Sequence, residues 1–319
     1  MGALHTENWK RPISTRRINT ATLRQWCSPT VILAVTDLLD AHSLKFHVIQ
    51  HARQSGAKVF VVKTPATLGV EDLPGGRSTV TDSTAGPVVE LAAGLRRSGI
   101  PAEPIILRDQ QASDIFALAQ SCKADRVLLS SPTDLTEGED KASFADRLID
   151  SLDVPVCIVG RTLSVLPRLQ RPSHRITLVL SLERRNEIPL AFASRLCQEL
   201  RSQLTILNIL PKGSGDNHHT DRIHASFVAQ LPSVILREAE YLCPVEIAVR
   251  AGDPVSEILS HDAACSQDYL ILAPPWDATP AGFGRSTVRA LIRQAPSPVI
   301  VLRDPLESGD EPPWKPASS

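Results

Sequence analysis

The residues best suited to chemistry lie together at Gly282, Phe283, Gly284, Arg285, Ser286 and Thr287, where a flexible segment opens a helical pattern. Glycines admit the close approach of backbone N–H groups to a bound anion, and a helix N-terminus adds a favourable dipole. Arg285, with Arg289 one turn further on, adds positive charge. These types in this order point to docking of a phosphate or another anion. In the first half of the chain the corresponding hydroxyl is Ser143, and both Ser143 and Ser286 read as residues that begin and cap short helices. The segment before Ser143 holds Asp134, Glu137, Glu139 and Asp140 against Lys141, so it repels phosphate rather than attracting it. Asp37 stands alone as a carboxylate directly after an apolar run.

Other clusters carry less. His218 and His219 beside Asp216 and Asp221 read as solvated turn residues, and His261 with Cys265 has a ligand spacing that supplies only two ligands, so no metal site is expected. The chain lacks G-x-S-x-G, G-x-x-x-x-G-K-[S/T] and H-E-x-x-H patterns, and we expect no catalytic residue and no enzyme activity. Asp253 and Pro254 are explained as a helix cap followed by a proline in the first turn. A formal net charge of -1 gives no field for nucleic acid. The six cysteines are scattered without C-x-x-C spacing, and residues 1–28 have no apolar run. A cytoplasmic protein with neither a nucleic-acid nor a membrane partner is the expectation.

The elements that must position these residues recur. With 319 residues the chain is long enough for two domains. The segment from Val31 to Gly160 lays over that from Ile176 to Arg303, element by element. Each opens with a continuous apolar strand, Val31 to Val35 or Ile176 to Leu180. A helix follows, marked in the first copy by Leu44, Val48 and Ala52 with Gly56 as the stop, and in the second by Leu190, Ala193, Cys197 and Leu200. Second strands are read at 58–63 and 204–210 and second helices at 88–97 and 223–241. Third strands follow at 103–107 and 245–249, third helices at 113–122 and 254–265, and fourth strands at 126–130 and 269–273. Each copy closes with a short helix and a final strand, 154–159 or 298–302. This alternation predicts an α/β fold of two tandem, doubly wound parallel sheets. The expected divisions are a disordered N-terminal extension (1–28), domain 1 (29–161), a tether (162–175) with Pro167, Pro172, Arg168 and Arg171, domain 2 (176–304) and a C-terminal tail (305–319).

Gly252, Asp253 and Pro254, a helix, Asp268 to Leu272, a glycine-containing loop, Ser286, a short helix, and Ala295 to Val301 together resemble the second half of universal stress protein domains. Val35, Thr36 and Asp37 resemble that family's opening, and the likeness covers about 260 residues in two copies. It implies an adenine nucleotide α-hydrolase-like fold, with Asp37 as the acid that contacts adenosine. ATP-binding members carry G-x-x-G, nine residues, then G-[S/T]. Here the three glycine positions are Ser130, Thr133 and Ala142 in the first copy and Ala273, Trp276 and Arg285 in the second, with only Ser143 and Ser286 kept. The second copy has Ser181 where the first has Asp37, and Trp276 is expected to fill the space of a base.

The resemblance implies a non-enzymatic stress-response or regulatory protein without a bound cofactor, acting through an unknown protein partner. The alternative is a sensor that binds ATP, AMP or another anion at 282–287. The final strands of such domains pair across a two-fold axis, so an intramolecular pseudo-dimer is expected, with a homodimer as the other arrangement.

Overall fold

The computed structural model describes residues 30–36, 41–53, 55–63, 86–107, 112–130, 144–159, 174–180, 187–210, 225, 244–265, 267–274 and 284–302. Apart from residue 225, the expected helix at 223–241 lies outside these residues, as do the extension 1–28, most of the tether and the tail 305–319.

In the first half the elements are β1 (Val31–Thr36), α1 (Ala41–Arg53), β2 (Lys58–Lys63), α2 (Gly86–Arg97), β3 (Ala102–Ile105), α3 (Ala112–Ser121), β4 (Arg126–Ser130), α4 (Phe144–Ser151) and β5 (Val156–Val159). The second half supplies β6 (His174–Leu180), α5 (Glu187–Leu200), β7 (Ser202–Leu210), β8 (Val245–Ala251), α6 (Pro254–Cys265), β9 (Tyr269–Leu272), α7 (Arg285–Gln294) and β10 (Val299–Val301). The continuous apolar strands behave as strands buried on both faces should: β4, β5, β9 and β10 are buried along their whole length. Gly56 ends α1 in the left-handed region (φ 66°), and its N–H reaches the Ala52 carbonyl at 2.9 Å.

The ten strands among the described residues form one sheet in the order β3-β2-β1-β4-β5-β10-β9-β6-β7-β8. The order of the second half mirrors that of the first. Every pairing inside a half is parallel, whereas β5 and β10 run antiparallel with Ile300 opposite Cys157. The helices divide between the faces: α1, α2 and α5 cover one, and α3, α4, α6 and α7 the other, each over a core drawn from both halves.

Several boundaries differ from the sequence reading: β3 spans Ala102–Ile105 rather than 103–107, β7 begins at Ser202 rather than 204, and β8 runs on to Ala251 rather than 249. Strand β6 starts at His174, inside the expected tether, because its backbone continues in register with Ser202 and Gln203 beyond the apolar run. The final strands are shorter than expected, at Val156–Val159 and Val299–Val301, each preceded by a proline that lacks the N–H a ladder needs.

A carboxylate pins the start of each fourth strand to the start of the first. Asp125 Oδ2 accepts from the Thr30 N–H (2.7 Å), the Thr30 hydroxyl (2.8 Å) and the Val31 N–H (3.0 Å). In the second half Asp268 Oδ2 accepts from the Arg175 N–H at 2.7 Å and lies 3.6 Å from His174 Nδ1, which raises the pKa of that imidazole.

Candidate functional site

In a doubly wound sheet a ligand site forms beyond the carboxyl ends of the strands, where the strand order reverses. Here the reversals fall between β1 and β4 and between β6 and β9. In the first half β1 ends at Thr36 and α4 begins at Phe144, so Asp37 and Ser143 lie just outside the described residues. Ser130, at the end of β4, is fully buried.

The second half shows more of its edge. Helix α7 begins at Arg285, and its N-cap is Gly284 with no side-chain cap hydrogen bond. Ser286 is therefore not the cap that the sequence suggests: it sits exposed inside the first turn. Nor does Gly284 need to be glycine, since its φ of −126° is open to any residue and an added Cβ would meet nothing within 4 Å. Thr287 turns inward and is buried, leaving Arg285 and Ser286 as the groups on the outer surface. Gly282 and Trp276 lie outside the described residues.

The cations of this turn face the other half of the chain. Arg285 Nη2 lies 3.7 Å from Asp150 Oδ1, and Arg289 Nε lies 3.1 Å from Asp146 Oδ1, both carboxylates being on α4. At partial exposure each pair contributes only about 0–1 kcal/mol to stability. Their effect is local: two carboxylates balance the positive charge that an incoming phosphate would need.

Asn208 was not singled out by the sequence. It ends in a buried position on β7, where Nδ2 donates to the Leu180 carbonyl at 2.8 Å and holds the end of β6. A polar residue within the apolar run 204–210 was its only sequence signal. His261 and Cys265 do meet, Nδ1 to Sγ at 3.9 Å, while His261 Nε2 lies 3.3 Å from the Thr177 hydroxyl. Both ring nitrogens are thus engaged within the half. Among the described residues no group of three or more His, Cys, Asp or Glu is placed to hold a metal ion, and His218 and His219 lie outside them.

No protein-family model and no curated protein matches the chain. Solved structures do. A functionally unknown protein from Pseudomonas aeruginosa aligns over 88% of this chain and 94% of its own at 13% identity and a TM-score of 0.62. A universal stress protein from Archaeoglobus fulgidus aligns over 86% of this chain and 96% of its own, at 16% identity and a TM-score of 0.57. The chain has the universal stress protein fold. At such identity the likeness speaks for the fold and not for a ligand, so the site rests on this chain's own residues.

Within that fold Ser286 departs from the expected cap role, while Ser143 lies outside the described residues. The cap expected of Asp253 is present: its Oδ2 accepts from the Ser256 N–H and hydroxyl, each at 2.9 Å. Asp253→Ala is accordingly expected to cost about 1 kcal/mol, and Ser286→Ala less than about 0.5 kcal/mol, in urea unfolding. Equal losses would show that Ser286 caps α7 after all.

Proposed function

We propose that this universal stress protein-like chain is a non-enzymatic, cytoplasmic regulatory protein whose halves form an intramolecular pseudo-dimer and which works through contact with a protein partner. The observation that carries this reading is the pairing of Arg285 with Asp150 and of Arg289 with Asp146. The cations nearest the second site already face carboxylates of the first half, while the glycine positions of the family motif hold Ser130, Thr133, Ala142, Ala273, Trp276 and Arg285. Backbone approach to a triphosphate and net positive charge are both reduced. Neither a nucleic acid nor a membrane belongs to this reading, and no described helix is long and apolar enough to cross a membrane.

A second reading has one observation in its favour. The N-cap of α7, Gly284, makes no side-chain cap hydrogen bond, and Arg285 and Ser286 are exposed in the first turn, so ATP, AMP or a simpler anion would meet a helix dipole and positive charge there. Calorimetric titration of the full chain with ATP, with and without Mg²⁺, separates the two. The expected result is no saturable heat up to about 1 mM, equivalent to binding weaker than about −4 kcal/mol. Micromolar binding that disappears in Arg285→Glu would establish the sensor reading, and phosphate release by the wild type would establish an enzyme.

A further inference from the structure

The seam between the halves contains a buried polar group that neither the fold nor the candidate site explains. Helix α1 places His47 and His51 one turn apart against the sheet, both buried. His47 Nδ1 lies 2.6 Å from the Tyr269 hydroxyl, across 222 residues of sequence. The rings of His47 and His51 both stand edge-on to Tyr269, with centroids 5.4 Å apart in each case. Arg126, fully buried at the start of β4, bonds His51 Nδ1 and carries its guanidinium 5.3 Å from the centre of the Phe192 ring on α5.

The contacts are reciprocal. Arg126 and Tyr269 occupy matching positions, each directly after the aspartate that pins a fourth strand. Counted from the first residue of the matched strands, Val31 and Ile176, His47 and Phe192 also match. Each half therefore sends the first residue of its fourth strand under the first helix of the other half: Tyr269 to His47, and Arg126 to Phe192. These pairs lie on the α1, α2 and α5 face, directly beside the Cys157–Ile300 pairing of the seam.

A guanidinium can only donate, so the His51 Nδ1 that meets it must carry a lone pair, and the neutral ring bears its proton on Nε2. His51 cannot gain a second proton without setting an N–H against Arg126. The other ionisable groups near the pair do not relieve this. Cys157 on β5 is buried and its thiol is pushed up to about 12, and burial holds the Tyr269 phenol protonated. Asp268, before β9, draws the His47 pKa upward but already accepts from the Arg175 N–H and pairs with His174. Asp125, before β4, is engaged with Thr30 and Val31. On α2, Glu90, Arg96 and Arg97 are exposed, as is Arg53 at the end of α1, and the Lys45 amine lies toward Gly94. On α5 the side chain shown beside Arg126 is the Phe192 ring, which is not ionisable, and the buried thiol of that helix is Cys197.

We propose that His47, His51, Arg126 and Tyr269 form a proton-operated clasp, so that acidification loosens the seam between the halves while the sheet within each half stays paired. Burial pushes the His47 pKa down to about 4, and burial together with Arg126 and His47 holds that of His51 well below its ordinary value. In an opened seam Tyr269 and Phe192 withdraw with the second half, water reaches the Arg126 guanidinium and lets it leave His51 Nδ1, and both imidazoles titrate near their ordinary value of about 6.5. The open form therefore takes up protons that the closed form refuses, and closure is lost progressively as pH falls from about 6.5 toward 4.

Hydrogen exchange of the full chain, read by mass spectrometry and corrected for intrinsic exchange, tests this. Between about pH 7 and pH 5 the opening of peptides covering β5 and β10 should rise about 25-fold for each histidine that becomes exposed. Peptides in β2 and β7 should not follow. The double variant His47→Gln with His51→Gln should remove the rise; should that variant fail to fold, His51→Gln alone should reduce it by about 25-fold. His261→Gln should retain it in full. A wild-type seam that opens no more than β2 and β7, a rise that survives loss of the clasp histidines, or a rise abolished by His261→Gln would each overturn the proposal.

Discussion

Arg126→Ala is expected to lower the unfolding free energy by about 3–5 kcal/mol in urea at neutral pH, among the largest effects of any single substitution in this chain. The side chain is fully buried, and alanine would leave both a cavity beside Phe192 and a buried His51 Nδ1 with its donor removed. Arg126→Met separates these contributions. Methionine refills most of the volume and carries no charge to desolvate, and replacing buried charge by an apolar chain of similar size is often close to neutral. About half the alanine loss, or less, is therefore expected for methionine, with the remainder assigned to His51. Equal losses for both variants would mean that packing at Arg126 contributes nothing.

Asp125→Ala is expected to cost a similar amount, about 3–5 kcal/mol, through a different mechanism. One buried carboxylate oxygen accepts three hydrogen bonds from Thr30 and Val31, two of them from backbone N–H groups at the start of β1. Without it those donors are left in a part-buried position where water satisfies them poorly. Asp125→Asn keeps an acceptor oxygen and should lose roughly half as much, since charge-assisted bonds are about twice as strong as neutral ones. Chemical denaturation with unchanged slope is the appropriate measurement, because a change in slope would signal a different denatured state rather than a weaker strand start. A loss below about 1 kcal/mol for Asp125→Ala would show that β1 and β4 hold their register without the carboxylate.

Much of the fold is legible in the sequence because its strands are buried on both faces and read as unbroken apolar runs. β4 at Arg126–Ser130 and α6 at Pro254–Cys265 have the bounds that the sequence suggests, the helix being announced by Asp253 and Pro254. The start of β6 is less legible, because His174 and Arg175 are held by backbone pairing and by Asp268, neither of which leaves an apolar signal. The first turn of α7 misleads for a related reason. Ser286 has the right chemistry for a cap, but Gly284 takes the extended N-cap position two residues earlier.

The candidate site is legible only by position. Spacing places Arg285 at a helix start, yet nothing local reveals that Asp150 stands opposite it, because that contact exists only once β5 and β10 pair. The same holds for His47 and Tyr269, which meet across 222 residues. His47 and His51 share the buried helix face with Leu44 and Val48, and a sequence can show that histidines lie on such a face without showing what they meet there. Contacts across the seam belong to the pairing of the halves and are therefore the last to be visible from local pattern.

That both halves behave as one body is tested most directly by small-angle scattering of the purified full chain near neutral pH. A sheet continuous through β5 and β10 predicts a compact particle, with a radius of gyration of about 20 Å for this length and one maximum in its distance distribution. A distribution with two maxima, one within each lobe and one between separated lobes, would contradict it.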